Sequence, residues 1–211
     1  KFFFNNFHKN YGGDLGLGVN PKLINRVNES DYLILLGGRL SENPSQGFTL
    51  LNIPEHNKKF VHIHPGPEEI GRIYKPHLGI VSSPIDFVSS LNNALNGLNT
   101  KPQDVKQIET NLAHEEYIEW GDMFLEAPNS GVDLTAAFRE LRDKIEKDTI
   151  ITNGAGNYAV WGHRLFRFSK LNTQLAPISG SMGYGLPAAI SAKLRYPDQM
   201  VIALAGDGCF Q

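Results

Sequence analysis

At 211 residues, with 41% hydrophobic side chains, the chain is long enough to bury a sizeable core. Its 20 basic and 22 acidic residues give a formal net charge of −2 without a long run of either sign, which argues against a nucleic-acid or anionic-membrane surface. A small-molecule partner is the better expectation. A single cysteine, and no apolar run long enough for a bilayer span, predict a cytoplasmic protein that does not insert into a membrane.

The first half of the chain alternates helix and strand patterns. Residues 19–40 have the pattern of a helix followed by a buried strand that ends at Gly37. Two further strands are predicted at 59–64 and 79–82, and a helix with one apolar side is predicted at 84–95. Strands that alternate with helices indicate a parallel sheet covered on both faces.

A looser, polar stretch precedes a second α/β segment. Residues 103–120 are predicted as a polar helix inside this stretch. The later elements are predicted as a helix at 134–147, a strand at 149–152, a helix at 187–194 and a strand at 200–204. The sequence therefore predicts an α/β fold of parallel sheets flanked by helices. We expect two partial domains, at 1–97 and 131–211, joined by a linker at 98–130.

A glycine-rich loop at residues 179–190 is the strongest local signal for function. Glycines at 180, 183 and 185 let a ligand approach the backbone closely, because a β-carbon there would collide with it. The loop runs into a helix whose first turn holds Pro187 and whose small residues permit close packing on a sheet. A ligand loop is favoured over a plain tight turn, but the pattern does not identify the ligand.

An isolated carboxylate, Asp207, follows the last apolar run of the chain. It is predicted at the carboxyl end of a buried parallel strand, where open α/β sheets bind their ligands. An aspartate between glycines is ordinarily a turn former, so metal binding and a turn both stay open at this point. The chain begins without Met and stops just after this turn, and we expect both ends to be cuts in a longer chain.

Together, residues 180–189 and 206–208 resemble the cofactor-binding half of thiamine-diphosphate enzymes. Residues 152–161 resemble the strand and glycine loop ending in tryptophan of the acetolactate synthase branch. Residues 1–95 resemble the later part of that family's central, Rossmann-like domain, and residues from about 130 resemble the first half of its diphosphate-binding domain. The landmarks in the central part are residues 13–16, 37–39 and 69–72.

This resemblance implies thiamine diphosphate and Mg²⁺ as cofactors. The positions that it assigns to the cofactor site are Gly156, Asn157, Tyr158, Gly180, Ser181, Met182, Asp207 and Gly208. Asp207 would bind Mg²⁺, which bridges to the diphosphate. Gly180 would offer its carbonyl to the aminopyrimidine, and Met182 would give its N–H while its side chain bends the cofactor. Asn157 and Tyr158 stand where acetolactate synthases usually carry Gln and His.

The activity that the resemblance implies is decarboxylation of a 2-oxo acid such as pyruvate, followed by transfer to an acceptor. In acetolactate synthase the acceptor is a second 2-oxo acid. Other members of the family use other acceptors, so another thiamine-diphosphate decarboxylase or transferase is an alternative. The family's activating glutamate lies on a domain outside this segment, so no catalytic residue is assigned here. We expect the segment alone to be inactive, and the full-length protein to be a homodimer or homotetramer.

Several features keep other interpretations open. Arg39 matches an FAD-contacting arginine of acetolactate synthases, but His64 and Gly66 stand where acidic residues are usual, which argues against FAD. His62 and His64 face one side of a strand without a third metal ligand nearby, which favours structural histidines. Residues 1–95 could also form a non-catalytic nucleotide-binding module, and the chain could be a degenerate homologue kept as a structural subunit.

Two residues near the predicted site have plain packing alternatives. Without the motif, a buried core position would be the favoured interpretation of Met182, because flexible thioethers commonly fill gaps in cores. Cys209 follows the glycine turn and has no assigned base, so a small buried residue is favoured over a nucleophile.

Overall fold

The structure is a computed structural model that describes residues 4–96, 98, 104–123 and 128–210. It divides into two compact units. Unit N is Asp14–Glu109, and unit C combines Lys1–Gly13 with Thr110–Gln211. Within the described residues, each unit has its own three-stranded parallel sheet with helices beside it, which confirms the predicted α/β fold. The predicted division into a central domain, a linker and a diphosphate-binding domain stays a prediction.

Unit N places its strands in chain order across the sheet. Its elements are α1 (Pro21–Glu29), β1 (Tyr32–Leu36), β2 (Lys59–His64), β3 (Leu78–Val81) and α2 (Pro84–Asn96), with a short 3₁₀ turn at Pro67–Glu69. Helix α1 starts where the Asn20 side chain accepts a hydrogen bond from the Lys22 N–H, and proline fills the first helical position. The sheet order β1-β2-β3 has Tyr32 opposite Lys59 and Val61 opposite Leu78.

The core of unit N forms around the central strand. Phe60 and Ile63 on β2 are 1% and 0% exposed. Phe60 belongs to a buried cluster whose other members are Leu40, Leu50, Leu51 and Tyr74. Burial of each such side chain stabilises the fold by about 1.5–3 kcal/mol. The segment after β1 therefore folds back to cover the strand that follows it.

Unit C has a different strand order. Its elements are α4 (Leu134–Lys144), β4 (Ile150–Asn153), α5 (Ala159–Leu165), β5 (Gln174–Leu175), α6 (Gly185–Arg195), β6 (Val201–Leu204) and α7 (Asp207–Phe210), and helix α3 (Asp104–Asp122) belongs to it from Thr110 onward. The sheet order is β5-β4-β6. The first strand of the unit in sequence is thus the middle strand of its sheet, and the chain passes to one side of β4 and then to the other.

All four residues of β4 are buried. Ile151 joins Phe166 and Phe168 in a cluster that Phe138 and Leu141 complete. A buried central strand with sheet neighbours on both sides is a rigid base for the loops that follow it. Among the described residues, no helix is both long and apolar enough to span a bilayer.

Side chains of unit C also fix the end of α3. The Asp122 carboxylate forms ion pairs with Arg142 Nη1 at 2.9 Å and with Arg167 Nη2 at 2.8 Å. The Arg164 guanidinium lies 3.8 Å from the ring centre of Trp120, and its Nε donates to the Trp120 carbonyl at 3.0 Å. The three arginines thereby place positive charge at the carboxyl end of α3, where the helix dipole makes cations favourable.

Candidate cofactor site

The carboxyl ends of β4 and β6 are neighbours, because the strands are parallel and Asn153 pairs with Leu204. Each strand runs directly into a glycine turn, at residues 154–156 and 206–208. The Gly154 N–H donates to the Leu204 carbonyl at 3.3 Å, so the first turn begins hydrogen-bonded to the end of β6. This edge also lies where the strand order of unit C reverses, which is the usual ligand position in open α/β sheets.

The Tyr158 side chain packs against both turns. A β-carbon added to Gly156 would lie 2.6 Å from its ring carbon Cε1, and one added to Gly206 would lie 3.4 Å from the same atom. A β-carbon on Gly154 would lie 2.9 Å from the Tyr158 hydroxyl oxygen. At Gly154 and Gly156 these distances leave no room for a larger residue, so the glycines and the tyrosine ring fit as one set.

Cys209 packs against the first glycine turn, where a β-carbon on Gly154 would lie 2.9 Å from its Sγ. It is 3% exposed, as expected for a small buried residue, and its Sγ donates to the Ala155 carbonyl at 2.9 Å. Burial raises the pKa of the Tyr158 phenol to about 12, and the adjacent Cys209 acts in the same direction. Interaction with the Tyr158 hydroxyl in turn lowers the pKa of the Cys209 thiol. Tyr158 is therefore a neutral phenol at physiological pH.

The start of α6 is pinned to the end of β4. The fully buried Thr152 hydroxyl donates to the Gly185 carbonyl at 2.7 Å. A β-carbon on Gly185 would lie 2.7 Å from the Gly154 backbone nitrogen and 2.9 Å from the Asn153 carbonyl carbon. Because those neighbours are backbone atoms that cannot rotate away, only glycine permits this approach. The glycine-rich loop before α6 is thereby held at the same sheet edge as the two turns.

The loop itself presents open backbone and an exposed methionine. Gly180 and Gly183 have φ of +68° and +78°, and apart from adjacent residues no atom of the described chain lies within 4 Å of a β-carbon built on either. Met182 is 61% exposed, so it is not the core methionine that its chemistry alone would favour. Its Cε lies 2.6 Å from where a β-carbon on Gly208 would be. The loop thus reaches the turn that carries Asp207.

Asp207 is an exposed carboxylate at the first residue of α7. One of its oxygens accepts a hydrogen bond from the Gly208 N–H at 2.8 Å, which leaves the other for a cation. Across the described ranges, no three or more His, Cys, Asp or Glu side chains cluster as a metal site would require. A magnesium ion at Asp207 would therefore need oxygens from a ligand and water, which is the usual state of Mg²⁺ beside a diphosphate.

Among the predicted site residues, Tyr158 packs against Gly156, and Met182 packs against Gly208 beside Asp207. Asn157 and Ser181 are exposed beside them, and the Ser181 hydroxyl lies 3.1 Å from that of Ser179. Thr152 was not singled out from the sequence. Gly185 was predicted to let a ligand approach, but the space at its β-carbon position is taken by the backbone of β4. Both residues determine where the loop lies. The glycine before the helix was the only signal, since nothing local marks Thr152 as its partner.

At the carboxyl ends of its strands, unit N has a cluster of charged side chains instead of glycine turns. Glu69 is 8% exposed and pairs with Arg39 Nε at 3.3 Å and Arg72 Nη1 at 3.2 Å. The buried His62 has its Nε2 3.0 Å from the Gly38 carbonyl oxygen. The Arg39 guanidinium is accordingly engaged by a carboxylate of its own unit.

The neighbouring His64 is also tied to backbone. Its Nδ1 accepts a hydrogen bond from the Gly66 N–H at 3.0 Å. Both histidines of β2 therefore have local partners, and no metal-binding group of three includes them within the part of the chain that the structure describes. The structural interpretation of the pair stays a prediction, and these hydrogen bonds are compatible with it.

Two family models match the chain in succession. The central domain of thiamine pyrophosphate enzymes matches residues 1–91, and the C-terminal TPP-binding domain of the same enzymes matches residues 154–211. Together they cover more than half of the chain, in the order that the sequence motifs predict. The second match begins at the first glycine turn and includes the glycine-rich loop and Asp207.

Curated relatives give a consistent result. The acetolactate synthase large subunit of Porphyra purpurea is 28% identical over 88% of this chain and 30% of the relative. A probable acetolactate synthase large subunit of Methanocaldococcus jannaschii is 31% identical over 87% of this chain and 31% of the relative. That of Cyanidium caldarium is 28% identical over 99% of this chain and 35% of the relative. The chain spans about a third of the length of these relatives, and it belongs to the thiamine pyrophosphate enzyme family.

Proposed function

We propose that this chain forms part of a thiamine-diphosphate- and Mg²⁺-dependent enzyme that decarboxylates pyruvate and joins the product to a second 2-oxo acid, as acetolactate synthases do. The observation that carries the proposal is the meeting of two glycine turns, an exposed methionine and an exposed carboxylate at one sheet edge. The similarity to acetolactate synthase large subunits supports the choice of substrate class.

The residues of this edge fit the polar end of such a cofactor. The turns at 154–156 and 206–208 place backbone at the sheet edge, and Gly156 and Gly208 are exposed there, so that a diphosphate could reach it. Asp207 would hold Mg²⁺, and its exposure leaves room for phosphate oxygens and water in the same coordination sphere. Gly156, Asn157, Tyr158 and Gly208 belong to these turns or adjoin them, and they complete the proposed diphosphate region.

The loop before α6 would bind the ring end of the cofactor. Gly180 would accept a hydrogen bond at its carbonyl, Met182 would donate its N–H, and Ser181 lies between them. The exposed Met182 side chain is free to pack against a ligand, because it is not part of the core of unit C. When bound, thiamine diphosphate supplies the electron sink for the carbon that loses CO₂. This chain's residues hold and orient it, and we assign none of them to proton transfer.

A second candidate within the same family is another thiamine-diphosphate decarboxylase or transferase. Asn157 and Tyr158 favour it, because acetolactate synthases usually carry Gln and His at these positions. Residues that would bind the acceptor are not assigned in this chain, so the acceptor is open to experiment. A homodimer or homotetramer is the proposed assembly of the full-length protein.

Calorimetric titration of the full-length gene product with Mg²⁺ and thiamine diphosphate tests the cofactor proposal. We expect saturable binding that Asp207→Asn weakens by about a hundredfold or more, since an amide is a far poorer magnesium ligand. Asp198→Asn is the matched control, because Asp198 is an exposed carboxylate on the loop before β6 and should leave binding unchanged.

Product analysis tests the reaction. Incubation of the loaded protein with pyruvate should release CO₂ and yield acetolactate. Release of CO₂ with a different product would support the second candidate. Absence of cofactor binding by the unaltered full-length protein would refute both.

A further inference from the structure

The Tyr158 side chain lies against the two glycine turns. Its ring is the nearest neighbour of the β-carbon positions of Gly156 and Gly206, which belong to different turns. Its hydroxyl is directed to Gly154 and Cys209, on the buried side of the first turn. The Tyr158 side chain therefore fills the space between the two turns.

The chemistry of the phenol agrees with an inward position. Burial holds the Tyr158 pKa at about 12, so the hydroxyl carries no charge at physiological pH. Its immediate neighbour is the 3%-exposed Cys209, whose Sγ donates a hydrogen bond to the Ala155 carbonyl in the first turn. The ring, the thiol and the first turn thus form one packed group.

We propose that Tyr158 is a positioning residue whose ring fixes the separation of the turns at 154–156 and 206–208, and so orients Asp207, while its hydroxyl makes no contact with the diphosphate. This inference rests on the proposed function. It departs from a direct contact at this position, which the resemblance to thiamine-diphosphate enzymes implies.

The physical reason lies in the glycines. Gly206 and Gly208 flank Asp207, and glycine backbone has many accessible conformations when nothing packs against it. The Tyr158 ring removes part of that freedom at Gly206, one residue before the carboxylate. A smaller side chain would leave a void between the turns, and cofactor binding would then have to order them. Loss of the hydroxyl alone would leave the ring contacts in place.

The test is calorimetric titration of Mg²⁺–thiamine diphosphate into the full-length protein and its Tyr158 variants. Tyr158→Phe keeps the ring and should bind within about threefold of the unaltered protein. Tyr158→Leu and the more conservative Tyr158→Met remove the ring and should each bind about tenfold or more weakly, the range seen when a group that orients a metal ligand is lost. Tyr158→His restores the residue usual in acetolactate synthases and should also weaken binding.

Controls separate positioning from loss of fold. Tyr196→Leu, at a 40%-exposed tyrosine after α6, should bind like the unaltered protein. Titrations are compared well below the unfolding temperature of each variant, and Tyr158→Met replaces Tyr158→Leu if the latter does not fold. At saturating cofactor the variants should recover kcat, because the defect lies in the cofactor KM.

The outcomes distinguish this inference from the function on which it rests. If the unaltered full-length protein does not bind the cofactor, both fail. If it binds and Tyr158→Phe loses as much affinity as Tyr158→Leu, the hydroxyl makes a direct contact and the positioning role is refuted. Equal affinity of Tyr158→Met and the unaltered protein, or tighter binding by Tyr158→His, would refute it as well.

Discussion

The two sheets of this chain have the same number of described strands but differ at their carboxyl edges. In unit N the order β1-β2-β3 never reverses, and Glu69 with its two arginines occupies the edge. In unit C the order β5-β4-β6 reverses at β4, and the edge carries glycine turns and an exposed carboxylate. The comparison teaches that strand order, more than sheet type, determines which sheet edge a ligand can approach.

The largest loss of stability is expected from a substitution at Gly185, where α6 approaches β4. Gly185→Ala places a β-carbon 2.7 Å from a backbone nitrogen, so we expect about 3 kcal/mol of destabilisation from overpacking. Urea unfolding of the full-length protein measures it. Gly12→Ala is the control, since its β-carbon would lie at an ordinary 3.5 Å from Ala113 Cβ. Equal midpoints for the two variants would contradict the close approach of α6 to β4.

The hydrogen bond below that contact is the next test. Thr152→Val removes a buried donor to the Gly185 carbonyl, and should cost about 1–2 kcal/mol in the same assay. The exposed Thr49 hydroxyl donates to the Gln46 carbonyl at 2.7 Å, so Thr49→Val is a matched control with a much smaller expected loss. A Thr152 variant as stable as this control would show that the bond does not hold the loop.

Met182 separates a ligand role from a packing role. Because the side chain is 61% exposed, Met182→Ala should leave the unfolding midpoint unchanged and weaken thiamine diphosphate binding by about tenfold. Met200→Ala, at a 52%-exposed methionine before β6, should change neither quantity. Loss of stability without loss of affinity would return Met182 to the packing interpretation.

The smallest expected effect concerns unit N and pH. Burial, with the charges of His77 and Lys58, lowers the pKa of His56, whose ring packs against Phe60 at a centroid distance of 5.4 Å. The unfolded chain then binds a proton more readily than the folded one, so His56 contributes stability above its unfolded pKa of about 6.5 that is lost as pH falls. Urea midpoints between pH 8 and pH 5, roughly the range around that value, should decline less in His56→Phe. The exposed His8→Gln is the control.

Much of the fold was predictable because apolar runs bounded by Gly or Pro mark strands. The prediction that β1 is buried was wrong, since Tyr32 and Ile34 are each 61% exposed. The strand at 59–64 forms with the predicted bounds, β1 ends at Leu36 just before Gly37, and α2 extends one residue beyond its prediction. Helix α5 and the two-residue β5 were not predicted. Their stability comes from tertiary contacts, such as the approach of Leu204 to Gly162, where a β-carbon would lie 2.9 Å from Leu204 Cδ1.

The candidate site was predictable in part for the same reason. Glycine spacing marks the loop before α6, and the position after an apolar strand marks Asp207, although that strand is only partly buried. The inward direction of Tyr158 and the bond from Thr152 to Gly185 depend on segments 33 residues apart or on opposite turns, so no local pattern encodes them. The identity of the cofactor was predicted from the resemblance to thiamine-diphosphate enzymes, because the residues alone do not identify the ligand.

We propose that the cofactor binds at the carboxyl edge of unit C, with its metal on Asp207. A crystal structure of the full-length protein with Mg²⁺ and thiamine diphosphate tests it most directly. We predict electron density for the diphosphate beside the turns at 154–156 and 206–208, and a metal ion bound to the Asp207 carboxylate. Cofactor density at the Arg39–Glu69–Arg72 edge of unit N, or a metal ion away from Asp207, would contradict the account.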